Sequence, residues 1–230
     1  MKLFTYPYAF GTSTIYSHLE KALSPYLNVE HINYPGHGTR VQEKLIYLIE
    51  ELAADAIKEI KKTNEDYALL GYSMGAKICC EVVRQLQGTA YKQPKHLFLL
   101  ASPPPSKKAK ISQNGEVDLE EAKRILLTRG NTPKEIVESK ELMEFFHPMI
   151  KADVEALESY YLSEWPFPKM DIPITIINGK EDEVIESDWK TFFPADTICD
   201  FVELEGGHFF LFENEDHLLR LKKMILNKLC

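Results

Sequence analysis

One serine, Ser73, lies between two glycines in the segment 71-GYSMG-75, after an apolar run and before a pattern typical of a helix. A serine at a sharp strand-to-helix turn is exposed for attack on a carbonyl carbon, and glycines two residues to either side let the strand and helix approach closely. The helix start also directs the N–H of Met74 toward a developing oxyanion. The alternative is a small residue in an ordinary turn, so the rest of the chain must supply a base and an acid.

His208 is the predicted base. A serine hydroxyl is a weak nucleophile until a base accepts its proton. Seven histidines compete for this role, and His208 lies in 206-GGHFF-210, a glycine-rich loop just after a predicted strand. His37 lies in another glycine-rich loop and could line a site. It precedes Ser73, however, whereas the catalytic histidine follows the serine when a nucleophilic serine sits in a strand-to-helix turn of this kind. His217 falls in the last predicted helix, which indicates a solvated surface residue.

Asp182 is the predicted third member. The histidine needs a carboxylate that fixes its tautomer and stabilises its cation. The segment 179-GKEDEVI-185 follows an apolar run and contains three acidic residues, of which the flanking Glu181 and Glu183 are expected to face solvent. The alternative is an acidic turn without function. The order serine, acid, histidine along the chain favours the catalytic interpretation.

The second oxyanion donor is expected from the loop after the first strand, 7-PYAFG-11, where the backbone N–H of Ala9 or of Phe10 is suitably placed. Phe10 is also a candidate pocket wall, with an exposed loop aromatic as the alternative. No metal and no cofactor are expected. The predicted site comprises the catalytic residues Ser73, Asp182 and His208 and the oxyanion donors Met74, Ala9 and Phe10.

Short apolar runs alternate with amphipathic segments, and this alternation would place the three residues at strand ends. Strands are predicted at 2–6, 29–33, 67–71, 96–101, 173–177 and 200–204, and helices at 13–27, 41–62, 74–87 and 214–229. Strands alternating with helices predict an α/β fold with a mainly parallel central sheet flanked by helices.

The alternation is interrupted between residues 103 and 170, where helical patterns at 118–128, 133–139, 140–146 and 151–162 lie between the proline-rich segments 103-PPP-105 and 165-WPFP-168. A helical insertion between two strands predicts a lid over the carboxyl edge of the sheet, where ligands bind in open α/β folds. The alternative is an elongated crossover. The predicted division is a core of residues 1–102 and 169–230 with a lid of residues 103–168.

Composition limits the partners and the compartment. A chain of 230 residues with 44% hydrophobic content can form one large domain, and a net charge of −8 disfavours nucleic acid or an anionic membrane as a partner. Four cysteines (Cys79, Cys80, Cys199 and Cys230) show no metal-binding spacing. The N-terminal segment has no signal-peptide pattern, and no apolar run approaches the roughly 20 residues of a membrane helix. A reducing cytoplasm is therefore expected.

Together these motifs resemble a family, the type II (external, editing) thioesterases of nonribosomal peptide and polyketide synthesis, in the α/β-hydrolase superfamily. The resemblance covers nearly the whole chain in order. It rests on PYAFG, 35-PGHGTR-40, 71-GYSMGA-76, 130-GNTPKEIVESKELMEFFHP-148, 178-NGKED-182 and 206-GGHFFL-211. Two positions depart from the family pattern. Phe10 replaces a common glycine, and Tyr72 stands where the family usually has histidine.

The resemblance implies hydrolysis of acyl or aminoacyl thioesters from the phosphopantetheine arm of carrier proteins, which clears mis-primed synthetases, with the nucleophile, acid and base at Ser73, Asp182 and His208. It also implies a monomer with a mobile lid. Acidic carriers could contact 107-KKAK-110, for which a solvated linker is the alternative. A general acyl-CoA thioesterase, a carboxylesterase and a non-catalytic carrier-binding module remain alternatives.

Overall fold

A six-stranded sheet forms the centre of the computed structural model, which describes residues 1–129, 132–162, 172–185 and 189–230. Every neighbouring pair of strands is parallel, in the order β2-β1-β3-β4-β5-β6. All six predicted strands and the α/β class are confirmed, with ends shifted by one or two residues. The strands are β1 (Lys2–Tyr6), β2 (Asn28–His31), β3 (Tyr67–Tyr72), β4 (Leu97–Leu100), β5 (Ile174–Gly179) and β6 (Cys199–Leu204).

Helices cover both faces of the sheet, which explains why its central strands are almost entirely apolar. Successive residues alternate between two cores: Leu69 faces one of them, and Leu70 faces the other. Helices α2 and α3 pack in the first core, and α1 and α9 in the second. The helices are α1 (Ser17–Leu23), α2 (Ile49–Ile60), α3 (Met74–Leu86), α4 (Leu119–Arg129), α5 (Lys134–Glu138), α6 (Lys140–Ser159), α7 (Trp189–Phe192), α8 (Phe210–Glu213) and α9 (Glu215–Leu229).

The helix predicted at 41–62 is wrong in its first part, because α2 begins only at Ile49. The preceding segment is held by non-helical contacts. Arg40 donates to the carboxylates of Glu43 and Asp55, both through its Nη atoms at 2.6 Å. Leu48 is extended, with φ −133° and ψ 133°. Ion pairs across the loop thus outweigh the helical spacing of its apolar residues.

The chain between β4 and β5 is helical, as predicted, and α4, α5 and α6 share a hydrophobic core of their own. Two of its predicted helices, 140–146 and 151–162, are a single helix, because α6 continues through Pro148. Met143 before the proline and Ile150 and Val154 after it pack in the same core. Burial of both halves offsets the hydrogen bond that proline removes. The predicted lid boundary at 168 and the segment 165–170 lie outside the described residues.

The strand order determines where a site can form. β1 lies between β2 and β3, so the order of strands reverses there, and the loops after β1 and β3 leave the same edge side by side. The segment 7–11 and Ser73 therefore meet at this switch point. No helix within the described ranges is long and apolar enough to cross a membrane.

Candidate active site

Ser73 occupies a strained turn between β3 and α3. Its backbone has φ 53° and ψ −109°, a conformation that L-residues rarely adopt. Its N–H donates to the Leu100 carbonyl oxygen at 2.8 Å, which ties the turn to β4. A Cβ on Gly71 would lie 2.2 Å from the Gly75 carbonyl oxygen, and one on Gly75 would lie 2.2 Å from the Tyr6 carbonyl oxygen. Both glycines are therefore required by backbone contacts, whatever the chemistry.

The three residues predicted to be catalytic come together at the carboxyl edge of the sheet. His208 Nε2 lies 3.0 Å from Ser73 Oγ, and His208 Nδ1 lies 2.8 Å from Asp182 Oδ2. A carboxylate only accepts, so Nδ1–H donates to Asp182, which leaves Nε2 free to accept the serine proton. The arrangement matches the hydrogen-bond chain of a serine hydrolase triad.

The acid and histidine loops are held against each other. The Asp182 side chain is fully buried, and its Oδ1 accepts from the Val184 N–H at 2.9 Å. Glu181 is exposed, as predicted, yet its Oε2 accepts from the Gly206 N–H. A Cβ on Gly179 would lie 2.3 Å from the Gly207 carbonyl oxygen, so only glycine permits this approach. Two loops far apart in sequence thus form one rigid support.

Tyr72 supports His208 from below, a role that sequence reasoning missed. Its hydroxyl donates to the His208 carbonyl oxygen at 2.6 Å, and its ring is fully buried. Burial raises the pKa of the Tyr72 phenol, so the hydroxyl stays protonated. Tyr8, Phe210 and Phe212 pack around it as an aromatic cluster. The available signal was a tyrosine, which needs a partner for its hydroxyl, at the end of an otherwise apolar buried strand.

The structure gives a partner to one of the two oxyanion donors predicted in the first loop. The Phe10 N–H donates to Asp153 Oδ2 at 2.7 Å, so in this conformation it is engaged within the protein. Ala9 and Met74 as oxyanion donors stay predictions. Phe10 has φ 68°, a left-handed conformation that favours glycine, which accounts for the glycine common at this position in the resembling family.

Asp153 links the helical insertion to the core through two partners. It lies on α6 and is 1% exposed, and its Oδ2 faces both the Phe10 N–H and, at 3.1 Å, His37 Nε2. His37 Nδ1 faces the Pro35 carbonyl oxygen at 3.1 Å. Both ring nitrogens therefore face acceptors, which favours the imidazolium. Burial lowers the pKa of His37, but the Asp153 charge and hydrogen bond raise it above the ordinary 6.5 overall.

Replacing Asp153 by asparagine is expected to reduce the free energy of unfolding by about 1.5–3 kcal/mol, the contribution of hydrogen bonds to a charged group. The raised pKa of His37 sets the pH dependence. The pair's stabilisation is complete below pH 6.5 and is lost as pH rises through the folded-state pKa. Urea unfolding of both proteins between about pH 6 and pH 9 measures this loss.

Glu155→Gln is the matched control, because Glu155 lies on the same helix in an ion pair with Lys151, with both side chains over 40% exposed. Its expected effect is below about 1 kcal/mol. Equal destabilisation by Asp153→Asn at both ends of the pH range would contradict a charged His37–Asp153 pair.

A cavity of about 1280 Å³ opens above the three residues. Ser73 and His208 are on its wall, the first loop contributes Ala9 and Phe10, and the helical insertion contributes Leu157 and Tyr161. The hydrogen-bond chain of the three residues thus ends at a space large enough for an acyl chain. The other charged residues on its wall are Lys77, Lys107, Lys108, Lys110, Arg124, Arg129, Glu181, Asp182 and Glu183.

Two other histidines are structural. The prediction that His217 is a solvated surface residue is wrong, because it is 5% exposed and its Nδ1 lies 2.8 Å from the Phe210 carbonyl oxygen. Its position at the start of α9 turns it toward the short helix α8, a contact that helical spacing alone does not reveal. His96 is buried against Thr175 Oγ1 at 2.8 Å, and burial lowers the pKa of its ring to about 4.

The described residues contain no group of three or more His, Cys, Asp or Glu side chains arranged to hold a metal ion. All four cysteines are free thiols, and Cys79 and Cys80 are buried inside α3. Burial raises the pKa of both thiols, so they stay protonated as small apolar core residues.

Comparison with known proteins decides the family. The model of the thioesterase domain family matches residues 1–226, nearly the whole chain. The chain belongs to the thioesterase domain family. This confirms the family predicted from the sequence motifs and assigns the chain to thioester hydrolases, and the helical insertion and the Ser73–His208–Asp182 arrangement are features of this thioesterase.

Two curated relatives of the thioesterase match over most of their length. The human medium-chain S-acyl fatty acid synthase thioesterase is 28% identical over 92% of this chain and 81% of its own. A protein of Brevibacillus parabrevis named linear gramicidin dehydrogenase LgrE is 30% identical over 95% of this chain and 85% of its own.

Solved structures give the same fold for the thioesterase. The type II thioesterase BorB from the borrelidin biosynthetic cluster superposes with a TM-score of 0.83 at 28% identity, covering 100% of this chain and 92% of that chain. The RedJ thioesterase of the prodiginine pathway in Streptomyces coelicolor superposes with a TM-score of 0.81 at 26% identity, covering 100% and 90%. The predicted α/β-hydrolase architecture is confirmed by these matches.

Proposed function

We propose that this thioesterase hydrolyses acyl or aminoacyl thioesters held on the phosphopantetheine arm of carrier proteins, and so clears mis-primed nonribosomal peptide or polyketide synthetases. The observation that carries the proposal is the Ser73–His208–Asp182 hydrogen-bond chain, with distances of 3.0 and 2.8 Å, at the wall of a 1280 Å³ cavity. The relative BorB, a type II thioesterase from a biosynthetic cluster, supports the choice of carrier-bound substrates.

In the proposed mechanism His208 Nε2 accepts the proton of Ser73 as Oγ attacks the thioester carbonyl carbon. The resulting oxyanion accepts hydrogen bonds from the N–H groups of Met74 and Ala9, which stabilise the charge as it forms. The carbon–sulfur bond then breaks, and His208 returns the proton to the departing thiol. Asp182 stabilises the imidazolium throughout.

The acyl group is then bound to Ser73 as an ester. Water attacks the ester carbon and gives a proton to His208 Nε2, which passes it to Ser73 Oγ as the carbon–oxygen bond breaks. The products are the free acid, the carrier thiol and unchanged enzyme. The mechanism needs no cofactor of its own, because phosphopantetheine arrives on the partner.

Exposed lysines of the cavity favour an acidic partner. Lys107, Lys108 and Lys110 line the cavity and are exposed, on a chain whose net charge is −8. A local cluster of cations on an acidic protein attracts an acidic carrier and its phosphate. A solvated linker is the alternative explanation for these lysines. The lid role of residues 103–168, the monomeric state and the cytoplasmic location stay predictions.

The proposal is tested by measuring hydrolysis of the same acyl group attached to three different leaving groups. The butyryl-carrier protein is expected to give a kcat/KM at least about tenfold above those of butyryl-CoA and p-nitrophenyl butyrate, a difference of 1.4 kcal/mol or more. Added salt is expected to reduce this preference, since exposed charges are screened. Equal values for carrier and CoA would refute the editing role and support a general thioesterase. Absence of all hydrolysis would leave a non-catalytic binding module.

A further inference from the structure

A lysine that the proposed mechanism does not use, Lys77, lies inside the active-site cavity. It lies in the first turn of α3, four residues after Ser73, which immediately precedes the helix. Both residues line the same cavity. Lys77 is 7% exposed, whereas lysine side chains are almost never buried without a partner.

The protein supplies hydrogen-bond acceptors for only part of the Lys77 ammonium group. Its Nζ donates to the Pro103 carbonyl oxygen at 3.4 Å, at the long end for a hydrogen bond. An ammonium has three donors, and none of the residues that the structure describes gives it a carboxylate partner. Burial lowers the pKa of Lys77 to about 8, so most of the group stays charged at neutral pH. A charge buried in this way is stable only when an anion or strong acceptor joins it.

The other charges on the cavity wall are already engaged or lie in solvent. Asp182 is hydrogen-bonded to His208, Arg124 pairs with Glu121, and Arg129 donates to the Lys110 carbonyl oxygen. The lysines of segment 107–110 and the glutamates at 181 and 183 are exposed. Among the described lining residues, Lys77 is therefore the buried cation left for a bound substrate.

We propose that Lys77 is a specificity-determining residue that binds a carboxylate on the acyl chain, so that the enzyme prefers short dicarboxylic acyl groups to apolar acyl groups of equal length. The inference rests on the proposed thioesterase activity. With the acyl carbonyl at Ser73, a short chain running along α3 brings its terminal carboxylate to the Lys77 ammonium. A cationic aminoacyl group would instead be repelled, which narrows the proposed substrate range toward acyl groups.

Kinetics on a matched pair of substrates test the inference. The glutaryl and pentanoyl thioesters of N-acetylcysteamine have chains of equal length that differ in the terminal carboxylate, and the Ser73→Ala protein supplies the uncatalysed background. The wild type is expected to favour the glutaryl thioester. Lys77→Met is expected to lower the glutaryl-to-pentanoyl ratio of kcat/KM by about ten- to a hundredfold, as loss of a charge-assisted hydrogen bond predicts.

The pentanoyl kcat/KM of Lys77→Met is expected to stay near the wild-type value, since methionine keeps the length and apolar stem of lysine. Lys223→Met, at an exposed position of α9, is the control and should leave the ratio unchanged. An unchanged ratio in Lys77→Met, or an equal loss with both thioesters, would overturn the inference while leaving the thioesterase intact. Should the wild type hydrolyse neither thioester, the same two acyl groups are loaded on the carrier protein, and a lack of hydrolysis there would instead overturn the proposed function. Lys77→Gln repeats the test should the methionine variant not fold.

Discussion

Replacement of Ser73 by alanine is expected to lower kcat for thioester hydrolysis by about a millionfold, the loss found when a triad nucleophile is removed from a serine hydrolase. The reason is geometric and chemical. Ser73 Oγ is the atom 3.0 Å from His208 Nε2, and alanine leaves His208 with no hydroxyl to deprotonate. Steady-state hydrolysis of an acyl N-acetylcysteamine thioester measures the loss, and mass spectrometry of the protein detects the acyl adduct that only the wild type should form.

The control for this result is Ser24→Ala, an exposed serine just after α1, which should keep full activity and form the adduct. Alanine at position 73 keeps the Cβ already accommodated at φ 53°, so the fold should be unchanged by circular dichroism and thermal unfolding. Undiminished hydrolysis by a folded Ser73→Ala protein would mean that the nucleophile lies elsewhere and would sink the mechanism.

Replacement of Asp182 by asparagine is expected to lower kcat by about 10⁴-fold without moving the backbone. The Asp182 carboxylate accepts the Nδ1–H of His208 at 2.8 Å and the Val184 N–H at 2.9 Å. An asparagine can keep the second bond through its oxygen while its NH₂ group donates to Nδ1. That exchange moves the histidine proton to Nε2, which then cannot accept from Ser73. Steady-state kinetics and the rate of acyl-enzyme formation in a single turnover measure the effect.

Glu183→Gln is the matched control, since Glu183 is the exposed neighbour in the same turn. It should retain activity within about threefold, because an exposed charge contributes little. A large loss in Glu183→Gln with little change in Asp182→Asn would contradict the assignment and show that Glu183, rather than Asp182, is the acid.

Much of this fold could be predicted from local sequence patterns. The four inner strands, β1, β3, β4 and β5, were predictable because strands buried on both faces are short apolar runs with no helical spacing. The turn around Ser73 was predictable from the spacing of its two glycines. A side chain on either glycine would meet backbone atoms of the turn or of β1. Chain order then selected Asp182 and His208, and the structure brings both within hydrogen-bond distance of their partners.

Features that depend on contacts between separate elements could not be predicted from local sequence patterns. The start of α2 is determined by ion pairs of Arg40, and α6 continues through Pro148 because both of its halves are buried in one core. The hydrogen bond of the Phe10 N–H depends on Asp153, a residue 143 positions away.

The sequence by itself therefore determined the sheet, the strained turn and the identity of the three candidate catalytic residues, Ser73, Asp182 and His208. Only the tertiary structure decided what surrounds them: the Tyr72 support under His208, the Asp153 link to the first loop and the buried Lys77 in the cavity. The physical reason is that strand and turn propensities are local, whereas burial and hydrogen-bond partnership of a polar side chain arise between elements that meet only in the folded chain.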